Sequence, residues 1–339
     1  MIYLGFIRNH WGHFLLDCST RLWYAKSHPN FKCVFCVKLG ESFSPIENID
    51  RFLELYGIKK NRILYVNSAQ RFRNIIVPKP SYCTNTYYSD QFLNMFDDVA
   101  SGVDLEAYPK HEKIYFTRRK FRKAVTTEYG ENFITDILSY NGFTIVSPEN
   151  CSLDEQIAFI RNSNLVSTIN GTIAHNMLFA RKGQEIHIFN KTYIKNMMQF
   201  DVDYLRHLNT VYIDAYCARY PSSLGWGPFA LIPNENFMEY INDYEYTIPK
   251  AFEREKVIKR TLSKYIRAIR SNYFNSSSIE YEKSPEKVNY MPPELVLSFD
   301  EKYYCFLNKS RVSSRFLYYY SKMRKKLSDK IDYMQGIRR

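Results

Sequence analysis

Two histidines and an aspartate near the start of the chain are the residues best suited to acid–base chemistry. They lie in the largely apolar stretch RNHWGHFLLDCSTRLWY, residues 8–24, with His13 and Asp17 four positions apart. On a helix, side chains four positions apart lie one turn apart on the same face. A carboxylate beside an imidazole in a partly apolar wall can have a shifted pKa, which a general base needs. The alternative is an ion pair that only stabilises helix packing.

Three arginines follow an apolar segment in the middle of the chain. The segment KIYFTR, residues 113–118, is typical of a strand, and Arg118, Arg119 and Arg122 lie at its end. The guanidinium group is planar and always charged, so it suits phosphate better than an ammonium group does. The cluster therefore predicts contact with a phosphate group, and the alternative is a solvent-exposed basic turn.

A second polar loop, STINGTIAHN at 167–176, separates a predicted strand from a predicted helix. Its candidate binding residues are Asn170, Gly171, Thr172, His175 and Asn176. A glycine allows close backbone approach, and the hydroxyl of Thr172 lies beside the free N–H groups of a helix start. Ligands of doubly wound sheets bind at the carboxyl ends of strands, so we expect this loop and the arginines to face one cleft. The chain has neither a GxGxxG loop nor a P-loop.

Metal binding is not predicted. His10 and His13 have a spacing that could contact a metal, but no third ligand is apparent. Asp201 and Asp203 form a DxD motif. In one class of sugar transferases, this motif holds a metal ion on a nucleotide diphosphate. Here the motif falls in the helical-looking segment NMMQFDVDYLRHL rather than directly after an apolar strand.

Strands and helices alternate through the middle of the chain. Strands are predicted at 113–118, 144–149, 164–170, 185–190 and 210–216. Helices are predicted at 131–143, 152–163, 172–183 and 193–208. Asn141-Gly142 is typical of a helix end, and Ser152 with Glu155 has the spacing of a capping box. This alternation predicts a parallel sheet with helices on its faces.

The first hundred residues repeat the alternation less clearly, with strands predicted in MIYLGF, KCVFCVKL and RILYVN. We predict two α/β units, residues 1–108 and 109–234, followed by a region of helices and linker at 235–339. That last region contains a basic helix at 251–270 and a second helix at about 311–334.

Composition and charge exclude several classes of protein. Of the 339 residues, 45% are hydrophobic, which supports a sizeable core and excludes global disorder. No apolar run reaches the roughly 18 residues of a membrane span, and no secretory leader is visible. Seven scattered cysteines do not predict a disulfide framework. The lone CxxC of Cys33 and Cys36 lies in an apolar run and predicts buried core thiols, which fits a reducing compartment.

The formal charge of +12 is concentrated at the end of the chain, where residues 309–339 carry a net +8. A nucleic-acid partner is not predicted, because the charge is a property of this tail and no recognition motif is present. The helix at 311–334 combines an apolar stripe with a basic face, which is typical of an interfacial helix on an anionic membrane. The alternative is that the stripe packs back onto the N-terminal domain.

Taken together, three stretches resemble glycosyltransferase family 61, including bacterial members of capsular or surface polysaccharide synthesis. They are NHWGHFLLDCSTRLW, KIYFTRRKFR and the segment from GFTIVSPEN to QEIHIF. The residues that match the family pattern are Asn9, His13 and Asp17, then Thr117-Arg118, then 142–156 and 171–179. The chain departs from the pattern at Asn170, where the family usually has a histidine before the glycine.

The resemblance implies a GT-B architecture, with two Rossmann-like domains and a cleft between them, followed here by C-terminal helices. It assigns 1–108 to the acceptor side and 109–234 to the nucleotide sugar. It implies an inverting, metal-independent transferase without a cofactor, in which Asp17 is the first candidate base and His13 its partner. The implied donor-binding residues are Arg118, Arg119, Arg122, Asn170, Gly171, Thr172, His175 and Asn176.

The implied partners are a nucleotide-sugar donor and a glycan or lipid-linked acceptor. The implied location is the cytoplasm or the inner face of the cell membrane, with the basic helix on the anionic surface. A different class of function stays open, namely a non-catalytic sugar-nucleotide-binding or assembly protein of a polysaccharide-synthesis complex. Asn170 and the short segment ahead of the first motif favour that alternative.

Overall fold

The structure is a computed structural model that describes residues 1–120, 128–217, 224–225 and 227–276. Arg122 and the predicted helix at 311–334 lie outside these residues. The described strands are β1 Ile2–Phe6, β2 Cys33–Cys36, β3 Ile63–Val66, β4 Tyr82–Cys83, β5 Tyr87–Tyr88, β6 His111–Phe116, β7 Glu128–Tyr129, β8 Thr144–Val146, β9 Ser163–Ile169, β10 Glu185–Asn190, β11 Asn209–Asp214 and β12 Phe229–Ala230.

The described α-helices alternate with these strands. They are α1 Trp11–His13, α2 Leu22–Ser27, α3 Glu47–Leu55, α4 Asp90–Ser101, α5 Glu131–Tyr140, α6 Leu153–Arg161, α7 Met197–Arg206, α8 Glu235–Asp243 and α9 Arg254–Ser276. The capping box of Ser152 and Glu155 forms at the start of α6, and Asn141 caps the end of α5. Both local predictions from the sequence are therefore confirmed.

The strands pair mostly in parallel, as the alternation predicts. Within the described residues, one sheet has the order β1-β2-β3 and a larger one the order β11-β10-β9-β6-β8. In the larger sheet, β6 pairs in parallel with β8 and with β9. The mixed α/β class is therefore confirmed, and its parallel sheets are compatible with a Rossmann-like fold.

By their internal contacts, the residues form two compact units. The first comprises Met1–Arg118, Phe143–Ile188 and Asn196–Val211. The second comprises Arg119–Gly142, Phe189–Lys195 and the described residues from Tyr212 onward. The predicted domain ranges divide the chain differently, at residue 108, and they stay a prediction.

Residue 108 falls inside the first unit because elements on both sides of it are joined. Arg51 on α3 makes a two-pronged ion pair with Asp154 on α6, with Nε–Oδ1 at 2.8 Å and Nη2–Oδ2 at 2.7 Å. Phe52, the next residue, lies against Phe14, Phe96 and Phe179 with ring centroids 5.2, 5.7 and 6.2 Å away. This aromatic cluster joins the start of the chain to residues after β9 in one apolar core.

The second unit is organised around a short parallel pair of strands, β7 and β12. The buried ammonium group of Lys191 lies 2.8 Å from a carboxylate oxygen of Glu128. The ring of Phe237 on α8 packs edge-on against Phe133 on α5, with centroids 4.9 Å apart. Between β7 and α5, Gly130 adopts a left-handed conformation with φ +98°.

Gly130→Ala is expected to destabilise the second unit strongly. A Cβ atom there would lie 2.0 Å from the carbonyl oxygen of Leu231 and 2.8 Å from Cγ2 of Thr261. Overpacking of this kind costs about 1–3 kcal/mol, in addition to the cost of the left-handed backbone. The matched control is Gly142→Ala, because Gly142 has a similar φ of +82° but no atom within 4 Å. Urea unfolding that gives both variants the same free energy would contradict the packing at Gly130.

Candidate active site

The segment that carries the two histidines changes helical type along its length. It begins as α1, continues as a π-helical turn over Phe14–Cys18 and a 3-10 turn over Ser19–Arg21, and ends as α2. We call residues 11–27 the opening helical segment. His10 caps its start, where Nδ1 accepts a hydrogen bond from the backbone N–H of His13 at 3.4 Å. Single π-helical turns inside helices occur frequently at functional sites.

His13 and Asp17 contact each other directly. Nδ1 of His13 lies 2.6 Å from Oδ2 of Asp17, and the side chains are 40% and 45% exposed. An ionised carboxylate only accepts hydrogen bonds, so Nδ1 of the imidazole donates. The other carboxylate oxygen of Asp17 has no hydrogen-bond partner among the described residues. The pair is therefore reachable by a substrate and leaves one oxygen of Asp17 available as a proton acceptor.

The opening helical segment packs closely on residues 172–179. A Cβ atom on Gly12 would lie 3.1 Å from Cγ2 of Thr172 and 3.2 Å from Cδ2 of His175. The helix predicted at 172–183 forms as a 3-10 helix over Thr172–Phe179, and Gly171 before it has φ +154°. The two candidate regions found in the sequence, 8–24 and 167–176, therefore meet within the first unit.

A chain of amides holds this junction in place. The indole Nε1 of Trp11 donates to Oδ1 of Asn176 at 2.7 Å, and Nδ2 of Asn176 donates to Oε1 of Gln156 at 2.9 Å. Nδ2 of Asn196 donates to Oδ1 of Asn170 at 3.0 Å, and both amides are buried. Asn176 and Asn170 were predicted to contact the nucleotide-sugar donor. In the structure, their amides join elements of the fold.

His175 lies inside the junction rather than at its surface. Its ring is buried, and Nδ1 lies 3.2 Å from Oε1 of Gln199 on α7. Burial lowers the pKa of His175 to about 4, and the nearby rings of His10 and His13 add to that effect. The imidazole is therefore neutral at pH 7.

The division between the two compact units falls between Arg118 and Arg119. Arg118 is half-buried in the first unit, and its charge helps to lower the pKa of His10, after the larger effects of burial and His13. Arg119 belongs to the second unit, where its Nη1 donates to Oγ1 of Thr135 at 2.9 Å. Of the three arginines, Arg118 is the one described beside the histidines.

The DxD motif lies on α7, as the helical pattern predicts. The carboxylate of Asp201 accepts hydrogen bonds from the hydroxyl of Tyr82 at 2.7 Å and from the backbone N–H of Asn85 at 2.9 Å. Asp203 accepts from Nε2 of Gln199 at 2.9 Å. Both acids thus stabilise local structure.

Cys33 is buried and Cys36 half-buried on β2, in agreement with their prediction as core thiols.

Several residues that shape the junction were not predicted from the sequence. Trp11, Gly12 and Gln199 carry no motif of their own. Gln156 ends the family motif at 142–156, but the motif did not indicate its contact with Asn176. The partners of all four residues are distant in sequence. Gln199 and Asp203 are four positions apart on a predicted helix, which is a spacing for side-chain contact. This spacing was the one sequence signal for these contacts. It indicates the contact between Gln199 and Asp203 but not the contact between Gln199 and His175.

A comparison with family models matches residues 11–187 to the family described as glycosyltransferase 61. The match spans just over half of the chain, and it includes His13, Asp17, Arg118, Thr172 and His175. The chain therefore belongs to the glycosyltransferase 61 family, as its resemblance predicted. It is accordingly a glycosyltransferase, with a sugar donor and an acceptor as its substrates. None of the curated proteins matches the chain.

Gly12→Val is expected to open the junction between the opening helical segment and residues 172–179. The branched side chain would require atoms of Thr172 and His175 to move, at a cost of about 1–3 kcal/mol. Gly225→Val is the control, because no atom of the described residues lies within 4 Å of a Cβ atom on Gly225. Thermal unfolding measures both variants, and a Gly12→Val protein as stable as the control would show that the approach is not tight.

Proposed function

We propose that this glycosyltransferase is an inverting, metal-independent enzyme that moves a sugar from a nucleotide-sugar donor to a growing surface glycan of the capsular type. The observation that carries the proposal is the 2.6 Å contact between His13 and the half-exposed Asp17. A solvent-accessible carboxylate with one engaged and one available oxygen is suited to act as a general base.

In the proposed reaction, the acceptor hydroxyl attacks the anomeric carbon of the donor sugar as the bond from that carbon to the diphosphate oxygen breaks. The hydroxyl proton passes to the available oxygen of Asp17, and the leaving nucleoside diphosphate keeps the bonding electrons. Attack opposite the leaving group inverts the anomeric centre. His13 holds the carboxylate in one orientation through its Nδ1–H.

The charge that develops on the diphosphate needs stabilisation by positive groups. In a metal-independent enzyme these groups come from the protein. We assign this role to Arg118 and to the hydroxyl of Thr172, because both belong to the unit that contains Asp17. Arg119 and Arg122 stay predicted donor contacts, as do Asn170, Gly171, His175 and Asn176.

We further propose the GT-B arrangement, in which residues 1–108 serve the acceptor and 109–234 the nucleotide sugar. The proposed location is the cytoplasm, peripheral to the inner face of the membrane, where a lipid-linked acceptor is available. The basic segment 309–339 is the proposed contact with anionic lipid, since each Lys or Arg near such a surface contributes about 1 kcal/mol. Among the described helices, none is both long and apolar enough to cross a bilayer.

Asp17→Asn is expected to lower turnover by about 10²-fold or more, since general base catalysis contributes factors of that size. The change keeps the shape of the side chain, so donor binding is expected to persist. Product formation is measured with the donor that a thermal-shift screen of nucleotide sugars selects. His13→Ala is the comparison variant and is expected to have the smaller effect. Full turnover in Asp17→Asn, with none in His13→Ala, would reverse the two roles.

Arg118→Ala is expected to weaken donor binding by about 2 kcal/mol, because hydrogen bonds to charged groups contribute roughly 1.5–3 kcal/mol. Calorimetry with the selected nucleotide sugar measures this affinity in the presence of EDTA. Arg181→Ala is the control, because Arg181 lies in the first unit but bonds the carbonyl oxygen of Ser163. An unchanged affinity would remove Arg118 from the diphosphate site. Binding that requires added Mn²⁺ would contradict metal independence.

A further inference from the structure

His175 is a buried titratable group to which the proposed proton transfer gives no role. It is only 7% exposed, although a histidine side chain carries two nitrogen atoms that need hydrogen-bond partners. Nδ1 has its partner in Oε1 of Gln199 at 3.2 Å. Nε2 has no hydrogen-bond partner among the described residues, and it is not one of their fully enclosed unpartnered atoms, so a ligand can reach it.

The contacts around Gln199 decide which nitrogen of His175 carries the proton. Nε2 of Gln199 lies 2.9 Å from Oδ1 of Asp203, and a carboxylate can only accept from it. The amide is thereby oriented with its oxygen toward His175. An amide oxygen accepts, so Nδ1 of the imidazole must donate. Nε2 is then left with a lone pair and no proton.

The free edge of the ring faces the opening helical segment. Cδ2, the ring atom bonded to Nε2, is the atom that a Cβ on Gly12 would meet at 3.2 Å. The charged and titratable groups that act on His175 from this side are His10, His13 and Asp17. From α7, Asp203 acts through Gln199. Nε2 is therefore a neutral acceptor at the edge of the proposed catalytic pair.

We propose that Nε2 of His175 accepts a hydrogen bond from a hydroxyl group of a sugar substrate. This inference rests on the proposed function, because it takes the surroundings of Asp17 as the place where sugars bind. A sugar hydroxyl supplies the hydrogen-bond donor that this acceptor lacks among the described residues. Sites built to bind a substrate hydroxyl discriminate strongly against ligands that cannot supply it.

The first experiment compares His175→Phe, which keeps a ring but removes both nitrogens, with His175→Gln, whose amide can again offer an acceptor. Calorimetry is run with the nucleotide sugar selected by the screen and with the corresponding free nucleoside diphosphate. If the hydroxyl belongs to the donor sugar, His175→Phe binds the nucleotide sugar at least tenfold more weakly. The free nucleoside diphosphate binds as before, and His175→Gln recovers part of the loss.

If the hydroxyl belongs to the acceptor, donor affinity is unchanged and the KM for the acceptor rises at least tenfold in His175→Phe. Unchanged affinity for both substrates in a folded His175→Phe protein overturns the inference and leaves the role of Asp17 untouched. A wild-type protein that binds no nucleotide sugar overturns the proposed function itself, and with it this inference.

The second experiment uses pH, because only the neutral ring can accept at Nε2. In the wild type the pKa of His175 is about 4, so substrate binding through Nε2 is kept down to that pH. Gln199→Glu places a carboxylate against Nδ1, which stabilises the imidazolium and raises this pKa. Binding of the substrate identified in the first experiment is then expected to fall at a higher pH than in the wild type.

His10, His13, Asp17 and Asp203 are present in both proteins, so their own titrations do not produce this difference. A ¹⁵N NMR spectrum of histidine-labelled protein reports independently which nitrogen carries the proton. Nε2 is expected to be unprotonated at pH 7 in the wild type. A protonated Nε2, or identical pH profiles for the wild type and a Gln199→Glu variant with a raised pKa, would overturn the inference.

Discussion

The close approach of Gly12 to residues 172–179 is the contact on which the candidate active site depends. It is possible because position 12 has no side chain, so backbone and ring atoms meet at van der Waals distance. On one side of this contact, Trp11 reaches Asn176, and on the other, Phe14 reaches the ring of Phe52. Elements separated by about 160 positions are thereby joined at the candidate active site.

The π-helical turn over Phe14–Cys18 determines which side chain of the opening helical segment reaches the surface beside this contact. The backbone N–H of Ser19 bonds the carbonyl oxygen of Phe14, which is one residue further back than in an α-helix. Phe14, Leu15 and Leu16 are all buried, whereas Asp17 is exposed. The apolar residues of the turn hold an irregular backbone in the core, and that backbone carries one acid to the surface. The proposed role of Asp17 as general base rests on this exposed carboxylate and the buried framework that supports it.

Much of the fold could be predicted because it is encoded locally. The capping box at Ser152 and the stop at Asn141 are short patterns, and the alternation of strands and helices needs only neighbouring residues. The family could likewise be predicted from contiguous motifs. The division between the two compact units at Arg118 and Arg119 could not be predicted, because adjacent residues gave no sign that the chain passes from one unit to the other there.

The interactions that the sequence did not reveal are those between distant polar residues. Gln199 lies outside the segment that matches the family, yet it fixes the proton on a histidine within that segment. The sequence shows that an imidazole is present, but its charge and tautomer depend on burial and on the partner of the other nitrogen. His13 is half-exposed and His175 is buried, so the two histidines have different surroundings within one site. A motif identifies such residues by type, and their roles follow from the packing around them.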